Sequence, residues 1–167
     1  MQKTRQLLRA IAVFCFLAGI FPIGLASILG MPFSKVIALI GSTFALEFLA
    51  IPVGIELDLN WVYVLLEAIS VGMGIFVLLL GLFEFLGSRS QKIVNLLLKL
   101  RWRMKRLEKY GVYGLIPGVF FLGVYGCAAI VWTSGWSVKR STISTAIGYI
   151  IAATIVLLAT LGVLRLT

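Results

Sequence analysis

The stretch RSQKIVNLLLKLRWRMKRLEK, residues 89–109, holds eight of the fifteen Lys and Arg residues of the chain and separates two long apolar blocks. On a helical wheel one arc holds Ile93, Leu96, Leu97, Leu100, Met104 and Leu107, and most of the cations occupy the remaining faces. The pattern predicts a basic amphipathic helix over 89–109 that lies along a membrane surface, facing anionic headgroups. An ordinary cytoplasmic loop, whose charge only orients the chain, is the alternative. The cations expected to contact lipid here are Arg101, Arg103, Lys105 and Arg106.

The composition predicts an integral protein of the cell membrane. Of 167 residues, 61% are hydrophobic and 13% are charged, and the mean hydropathy is +1.10. Soluble domains carry about 25% charged residues. One membrane domain spanning 1–167 is expected, with no room for a separate catalytic domain. Since the basic residues cluster at the ends of apolar segments, membrane orientation explains the net charge of +9 better than nucleic-acid binding does.

The amino-acid content of the chain excludes several kinds of catalytic and metal-binding chemistry. The chain has no His, which rules out imidazole ligation and a serine–histidine relay. It also has no phosphate loop, nucleophile elbow or zinc spacing. Cys15 and Cys127 lie in apolar runs and are predicted to be small buried hydrophobes. We therefore expect no enzyme, no catalytic residue, no metal site and no cofactor.

Two of the apolar segments are too rich in Gly and Pro for straight helices. The first, 10–32, includes GIFPIGLASILGMP and is too long for a cleaved signal peptide. The second is 111–136. Broken helices at membrane depth persist only where protein or a water-filled cavity covers the freed backbone groups. The predicted breaks are at Pro22, Gly24, Gly30, Pro32, Pro117, Gly118, Gly123 and Gly126.

The distribution of charge favours hairpins in these two segments. The positive-inside rule places the N-terminus, residues 89–109 and the Lys139/Arg140 pair all on the cytoplasmic side. Five simple crossings do not satisfy this, and they remain the alternative fold. If 10–32 and 111–136 instead enter and return, all three basic clusters lie inside and the Glu56/Asp58 loop lies outside.

The predicted fold is therefore an all-α polytopic membrane protein with three spanning helices, two re-entrant hairpins and a basic surface helix. The first hairpin-plus-helix unit is 10–54 and the second is 111–164, with a connecting helix at 61–87 and the basic helix at 89–109. This order is a weak internal repeat. Internal repeats built around broken helices are common in transporters, where the substrate site lies at the membrane midplane. Most such repeats are inverted, whereas the charges here favour parallel hairpins.

Short motifs in the two units resemble a known family. They are FPIGLASILGMPF (21–33), LEKYGVYGLIPGV (107–119), GVYGCAAIVWTSGW (123–136) and STISTAIGYIIAA (141–153). They resemble the small multidrug export proteins of archaea and bacteria, which are similar to the DedA/VTT (SNARE-associated) membrane proteins. The resemblance implies two re-entrant hairpins and a role in ion-coupled transport or lipid scrambling. The DedA pattern usually has an Arg directly after the second Pro-Gly, where this chain has Val119.

Carboxylates inside apolar runs are the sharpest functional candidates, because a charge at bilayer depth is costly unless it faces a cavity or a partner. Glu47 and Glu67 are the predicted proton-coupled transport residues, whereas Glu84 is expected to reach the interface. Structural pairing of Glu47 and a near-surface position for Glu67 are the alternatives. Each lies on a stripe of small residues that can line a cavity: Thr43, Ala50 and Gly54 for Glu47, and Ser70, Gly74 and Gly81 for Glu67.

Taken together, these features predict a transporter or exporter of a small solute. A lipid-handling or scrambling protein and a non-catalytic membrane scaffold are the alternatives. Lys139 and Arg140 either bind a phosphate headgroup or only orient the last helix. The small-residue seam Ser144/Gly148/Ala152 lets a helix approach closely, and it serves either a homo-oligomer or internal packing.

Overall fold

A computed structural model describes residues 2–87 and 110–164, and these residues are helical apart from short turns. The predicted basic helix at 89–109 lies outside the described residues, together with its four proposed lipid-binding cations. The helices are α1 (Gln2–Cys15), α2 (Phe21–Ile28), α3 (Phe33–Leu46), α4 (Ile51–Glu56), α5 (Trp61–Gly87), α6 (Leu115–Ser134) and α7 (Val138–Leu164).

Five helical stretches in the described ranges are long and apolar enough to cross a membrane. They are Thr4–Ile28, Phe33–Glu56, Trp61–Gly87, Gly111–Ser134 and Val138–Val163. The prediction of an all-α fold is confirmed. The five stretches also have the length and composition of a multi-pass membrane protein.

Residues 2–28 form one helical path along α5. Leu17 lies against Gly74, Ala10 lies against Gly81, and the Tyr63 hydroxyl donates to the Pro22 carbonyl at 3.2 Å. Because successive contacts run in opposite directions along the two helices, α1 and α2 are antiparallel to α5 over its whole length. The glycines allow this close approach.

The structure therefore differs from the predicted hairpin at 10–32. Pro22 lacks an N–H and would clash with the carbonyl one turn back, but a π-helical turn, Phe16–Ile20, precedes it. The wider π-helical turn accommodates the proline ring, so the helix continues to Ile28 and the chain turns only at 29–32. Among the predicted breaks, Pro22 and Gly24 are helical, Gly30 turns with φ +65°, and Pro32 is the residue before α3.

The first break inside a stretch long enough to span a membrane lies instead in Phe33–Glu56, between α3 and α4. Glu47 has φ +55° and ψ −132°, and a 3₁₀ turn, Glu47–Ala50, follows it. Lys35 Nζ donates to the Leu57 carbonyl at 2.6 Å, and Gly54 lies against Leu39. The two ends of segment 33–57 are therefore side by side, with Glu47 at the far tip.

The second break lies at Gly123 inside α6, where φ is +63° and ψ is −174°. Tyr110 and Tyr113 share a cavity with Arg140 at the start of α7, and α6 also ends directly before α7. The two ends of segment 110–134 therefore lie together as well, with Gly123 at the tip. The other predicted breaks in this segment, Pro117, Gly118 and Gly126, lie within α6, and Pro117 is in its first turn, where a missing N–H is tolerated.

Arg9 and the Lys139/Arg140 pair lie at one end of the bundle, whereas Lys35 lies at the other. Arg9, Glu84 and Val138 line a common cavity, so the start of α1, the end of α5 and the start of α7 are neighbours. Lys35 and Leu57 mark the opposite end. The prediction that basic clusters share one end agrees with this placement for Arg9 and for the Lys139/Arg140 pair.

Candidate functional site

The tips of the two broken segments meet at Glu47. The Val124 N–H donates to both carboxylate oxygens, at 3.1 Å to Oε1 and 3.0 Å to Oε2. Because Gly123 interrupts α6, Val124 begins a new helical run whose first N–H groups have no partner inside the helix. Glu47 therefore caps a helix N-terminus, where the positive end of the helix dipole favours an anion.

The contact between the tips leaves no space for a side chain at residue 123. A Cβ built on Gly123 would overlap the Glu47 carboxylate. Around this contact the tips are also held by side chains: the Tyr125 hydroxyl donates to the Phe44 carbonyl, and Phe48 packs edge-on against Tyr149 with ring centroids 5.8 Å apart. Glu47 is only 7% exposed, so the carboxylate is in the interior.

Glu67 is a second interior carboxylate, and it is fully buried. Thr43 Oγ1 is 3.0 Å from Glu67 Oε2 and also 3.0 Å from the Leu39 carbonyl, but it carries one proton. When Glu67 is ionised, Thr43 can donate to it; when Glu67 is protonated, Glu67 can donate to Thr43 while Thr43 donates to Leu39. Oε1 has no partner within 2–87 or 110–164. The site can therefore hold either protonation state with little movement.

The two predicted stripes have different roles in the structure. Ser70 and Gly74 pack against Leu17, whose carbonyl accepts from the Ser70 hydroxyl, while Gly81 lies against Ala10 and lines the cavity that Arg9 and Glu84 share. Glu67 faces α3 instead. Thr43, Ala50 and Gly54 are buried like Glu47, and Gly54 lies against Leu39 and Val64, away from the tip.

The remaining predicted residues lie at the basic end. Glu84 is partly buried beside Arg9, and Lys139 and Arg140 are exposed. Arg140 lines a cavity of about 590 Å³ with Tyr110, Tyr113 and Ser144. Among the described residues, no three His, Cys, Asp or Glu side chains are grouped closely enough to hold a metal ion.

The cysteine prediction is correct for one residue and wrong for the other. Cys127 is buried, whereas Cys15 is exposed. The reason is the register of segment 2–28, in which the small residues Ala10 and Ala18 face α5 and leave Cys15 on the outer side.

Sequence reasoning missed a row of hydroxyls on α7. Ser141, Thr145 and Tyr149 are all buried, and in the part of the chain that the structure describes none of their hydroxyls has a hydrogen-bond partner. The Tyr149 ring packs against Phe48, the residue that follows Glu47. The four-residue spacing of these hydroxyls in an apolar helix was the available signal, because it places them on one face.

The fold and this interior define the molecule as a multi-pass α-helical bundle with two buried carboxylates where its broken helices meet. Comparisons of the chain with protein-family models, with curated proteins and with solved structures found no match.

Proposed function

We propose that the chain is a small proton-coupled membrane transporter in which 33–57 and 110–134 are re-entrant hairpins. In this arrangement the hairpins enter from opposite faces and meet at the midplane, while 2–28, α5 and α7 span. The pairing of Lys35 with Leu57 and the cavity shared by Tyr110 and Arg140 support this, because each joins the two ends of one segment. Inverted hairpins are the usual transporter arrangement, and the first lies at 33–57 instead of 10–32.

The observation that carries the proposal is the contact between Glu47 and the Val124 N–H. An ionised carboxylate makes charge-assisted hydrogen bonds that are roughly twice as strong as neutral ones. Proton uptake by Glu47 therefore weakens the contact that holds the tips together, and proton release restores it. Protonation of Glu47 thus shifts the equilibrium from tips in contact towards tips apart. Coupled transport requires such a shift between two conformations.

The interior chemistry favours a cationic solute. Two carboxylates and the rings of Phe48, Phe120 and Tyr149 surround the tips. Carboxylates attract cations by charge and aromatic faces attract them through the ring quadrupole. A cation and a proton would then compete for the same carboxylates, and the transport reaction is exchange of one for the other.

The test is proton movement in proteoliposomes supplied with ethidium and choline as cationic probes. Wild-type protein is expected to move protons when probe is added, and Glu47→Gln and Glu67→Gln are each expected to abolish this movement because an amide does not exchange a proton. Glu84→Gln is the matched control, since Glu84 lies at the end of α5 away from the tips. Intact proton movement in Glu47→Gln removes Glu47 from the mechanism.

A second function, lipid handling, is favoured by one observation. The cavity beside Arg140 has two exposed tyrosines at its rim, Tyr110 and Tyr113, and suits an anionic headgroup. In this case labelled phosphatidylglycerol equilibrates across leaflets without a proton gradient. Arg140→Gln slows the exchange, and so does neutralising Arg101, Arg103, Lys105 and Arg106, whereas Arg9→Gln, in a different cavity, does not. A membrane scaffold shows neither activity.

A further inference from the structure

One face of α7 carries buried hydroxyls that the carboxylate site alone does not explain. Ser141, Thr145 and Tyr149 are each 0% exposed, and their hydroxyls have no partner among residues 2–87 and 110–164. A buried hydroxyl without a partner is destabilising. Three in a row on one helix face therefore call for an explanation other than packing.

Other threonines on the same helix show what an ordinary helical hydroxyl does. Thr142, Thr154 and Thr160 each donate to the carbonyl four residues earlier, at 2.8, 2.7 and 2.8 Å respectively. This local bond is available to any Ser or Thr in a helix. Ser141 and Thr145 do not make it, so their hydroxyls point away from their own helix backbone and into the interior.

The spacing of the three residues suits a chain of hydroxyls and waters. Residues four apart on a helix are separated by about 6 Å along its axis. For Ser141 and Thr145, whose hydroxyls both lie close to the helix, this is too long for a direct hydrogen bond and fits one bridging water. The Tyr149 ring carries its hydroxyl further out, to Gly72 of α5. The row therefore places polar groups at intervals along an otherwise apolar interior.

The ends of the row connect the two features already described. At one end, Ser144 and Arg140 line the cavity of about 590 Å³ beside Tyr110, one turn or less from Ser141 and Thr145. At the other end, the Tyr149 hydroxyl lies against Gly72 of α5, where a built Cβ would be 2.7 Å from the oxygen. The Tyr149 ring also packs against Phe48, the residue after Glu47, with ring centroids 5.8 Å apart, and Oε1 of Glu67, on the same helix as Gly72, is unpartnered among the described residues.

We propose that Ser141, Thr145 and Tyr149, with bridging waters, form the path by which protons pass between the Arg140 cavity and the Glu67 and Glu47 carboxylates. Each hydroxyl accepts a proton on one side and gives up its own on the other, so the path is unchanged after it reorients, and the proton ends on a Glu67 oxygen. The purpose of the path rests on the proposed transport function, but its existence can be tested without transport. The other titratable groups near this interior are Tyr63 and Cys127, which are buried, and Tyr125, which is 40% exposed and whose hydroxyl donates to the Phe44 carbonyl.

The test is the rate at which Glu67 gains a proton after a rapid drop in pH. Full-length protein in phosphatidylcholine nanodiscs is followed by time-resolved infrared absorption, and the carboxyl band of Glu67 is assigned by its loss in Glu67→Gln. Thr145→Val is expected to slow this band about 100-fold, the usual scale for loss of one positioned proton-transfer group. Tyr149→Phe and Ser141→Ala are expected to slow it similarly.

The controls separate a proton path from a structural role. Thr154→Val removes a hydroxyl of the same type from the same helix and is expected to leave the rate unchanged, because that hydroxyl bonds only to the Ile150 carbonyl. Thr145→Ser keeps the hydroxyl and is expected to keep the wild-type rate. Thermal unfolding checks that each variant is folded at the temperature of the rate measurement.

The outcomes distinguish this proposal from the proposed function. Wild-type rates in folded Thr145→Val and Tyr149→Phe overturn the path, even if proteoliposomes show proton-coupled transport. A Glu67 band that does not respond to pH in the wild type also overturns it. Slowed bands in these variants, with no probe-dependent proton movement in proteoliposomes, support the path and remove the transport function.

Discussion

At the scale of single residues, the site depends on Gly123 and Glu47, because the Glu47 carboxylate occupies the space that a side chain at position 123 would fill. Gly123 has a backbone conformation, φ +63° and ψ −174°, that is essentially restricted to glycine. Its missing side chain leaves room for the Glu47 carboxylate, and the resulting break frees the Val124 N–H to bind it. Glu47 itself has φ +55°, an unfavourable conformation that its hydrogen bonds to Val124 offset.

Gly123→Ala is therefore expected to destabilise the protein by about 3 kcal/mol or more, from backbone strain and loss of the capped N–H. The measurement is the unfolding midpoint in detergent. Gly41→Ala is the control, because Gly41 is helical and a Cβ there meets nothing within 4 Å; it is expected to be neutral or stabilising by about 1 kcal/mol. Equal stability of the two variants would contradict the role given to Gly123.

Of the site residues, Glu47 and Glu67 were predictable because charge inside an apolar run needs a reason. Their partners were not. Val124 is 77 positions from Glu47, and nothing in a single sequence pairs them. Thr43 was predictable only as a neighbour on the same stripe as Glu47, whereas in the structure it bonds to Glu67.

At the scale of elements, Gly and Pro content located one break and misplaced the other. Gly123 lies within the predicted second hairpin, 111–136. In the first half of the chain the Gly- and Pro-rich stretch stays helical, because a π-helical turn accommodates Pro22. The break occurs instead at Glu47, which has a positive φ. Amino-acid composition does not predict a positive φ at a glutamate. Tertiary contact between the tips decides its position.

The seam on α7 is used inside the molecule. A Cβ on Gly148 would be 2.6 Å from the Ile116 carbonyl oxygen, so the backbone of α6 lies directly on this glycine. Gly148→Ala is expected to destabilise the protein by about 1–3 kcal/mol, as overpacking usually does. Gly162→Ala is the matched control on the same helix, where a Cβ meets nothing within 4 Å. Thermal unfolding of both variants is the measurement, and a stable Gly148→Ala would show that α6 moves freely away from α7.

At the scale of the whole molecule, the arrangement of the segment ends supports the proposed hairpin fold over five simple crossings. Segment 33–57 begins and ends at one end of the bundle, and segment 110–134 begins and ends at the other. In the proposed arrangement Arg9 and the Lys139/Arg140 pair share one end and Lys35 lies at the other, although the described ranges hold five apolar stretches. The charge pattern predicted three spanning helices and two parallel hairpins, whereas the hairpins proposed from the structure are inverted.

Single cysteines at four exposed positions test this arrangement in a background with Cys15→Ser. In intact cells, an impermeant thiol reagent is expected to label cysteines at Ser34 and Asp58 together and to leave those at Tyr110 and Ser137 unlabelled, because the positive-inside rule places the basic end in the cytoplasm. A permeant reagent is expected to label all four, which controls for reactivity. Five simple crossings instead put Ser34 opposite Asp58 and Tyr110 opposite Ser137. Split labelling within either pair would therefore reject the hairpin at that segment, and with it the meeting of two tips on which proton coupling at Glu47 depends.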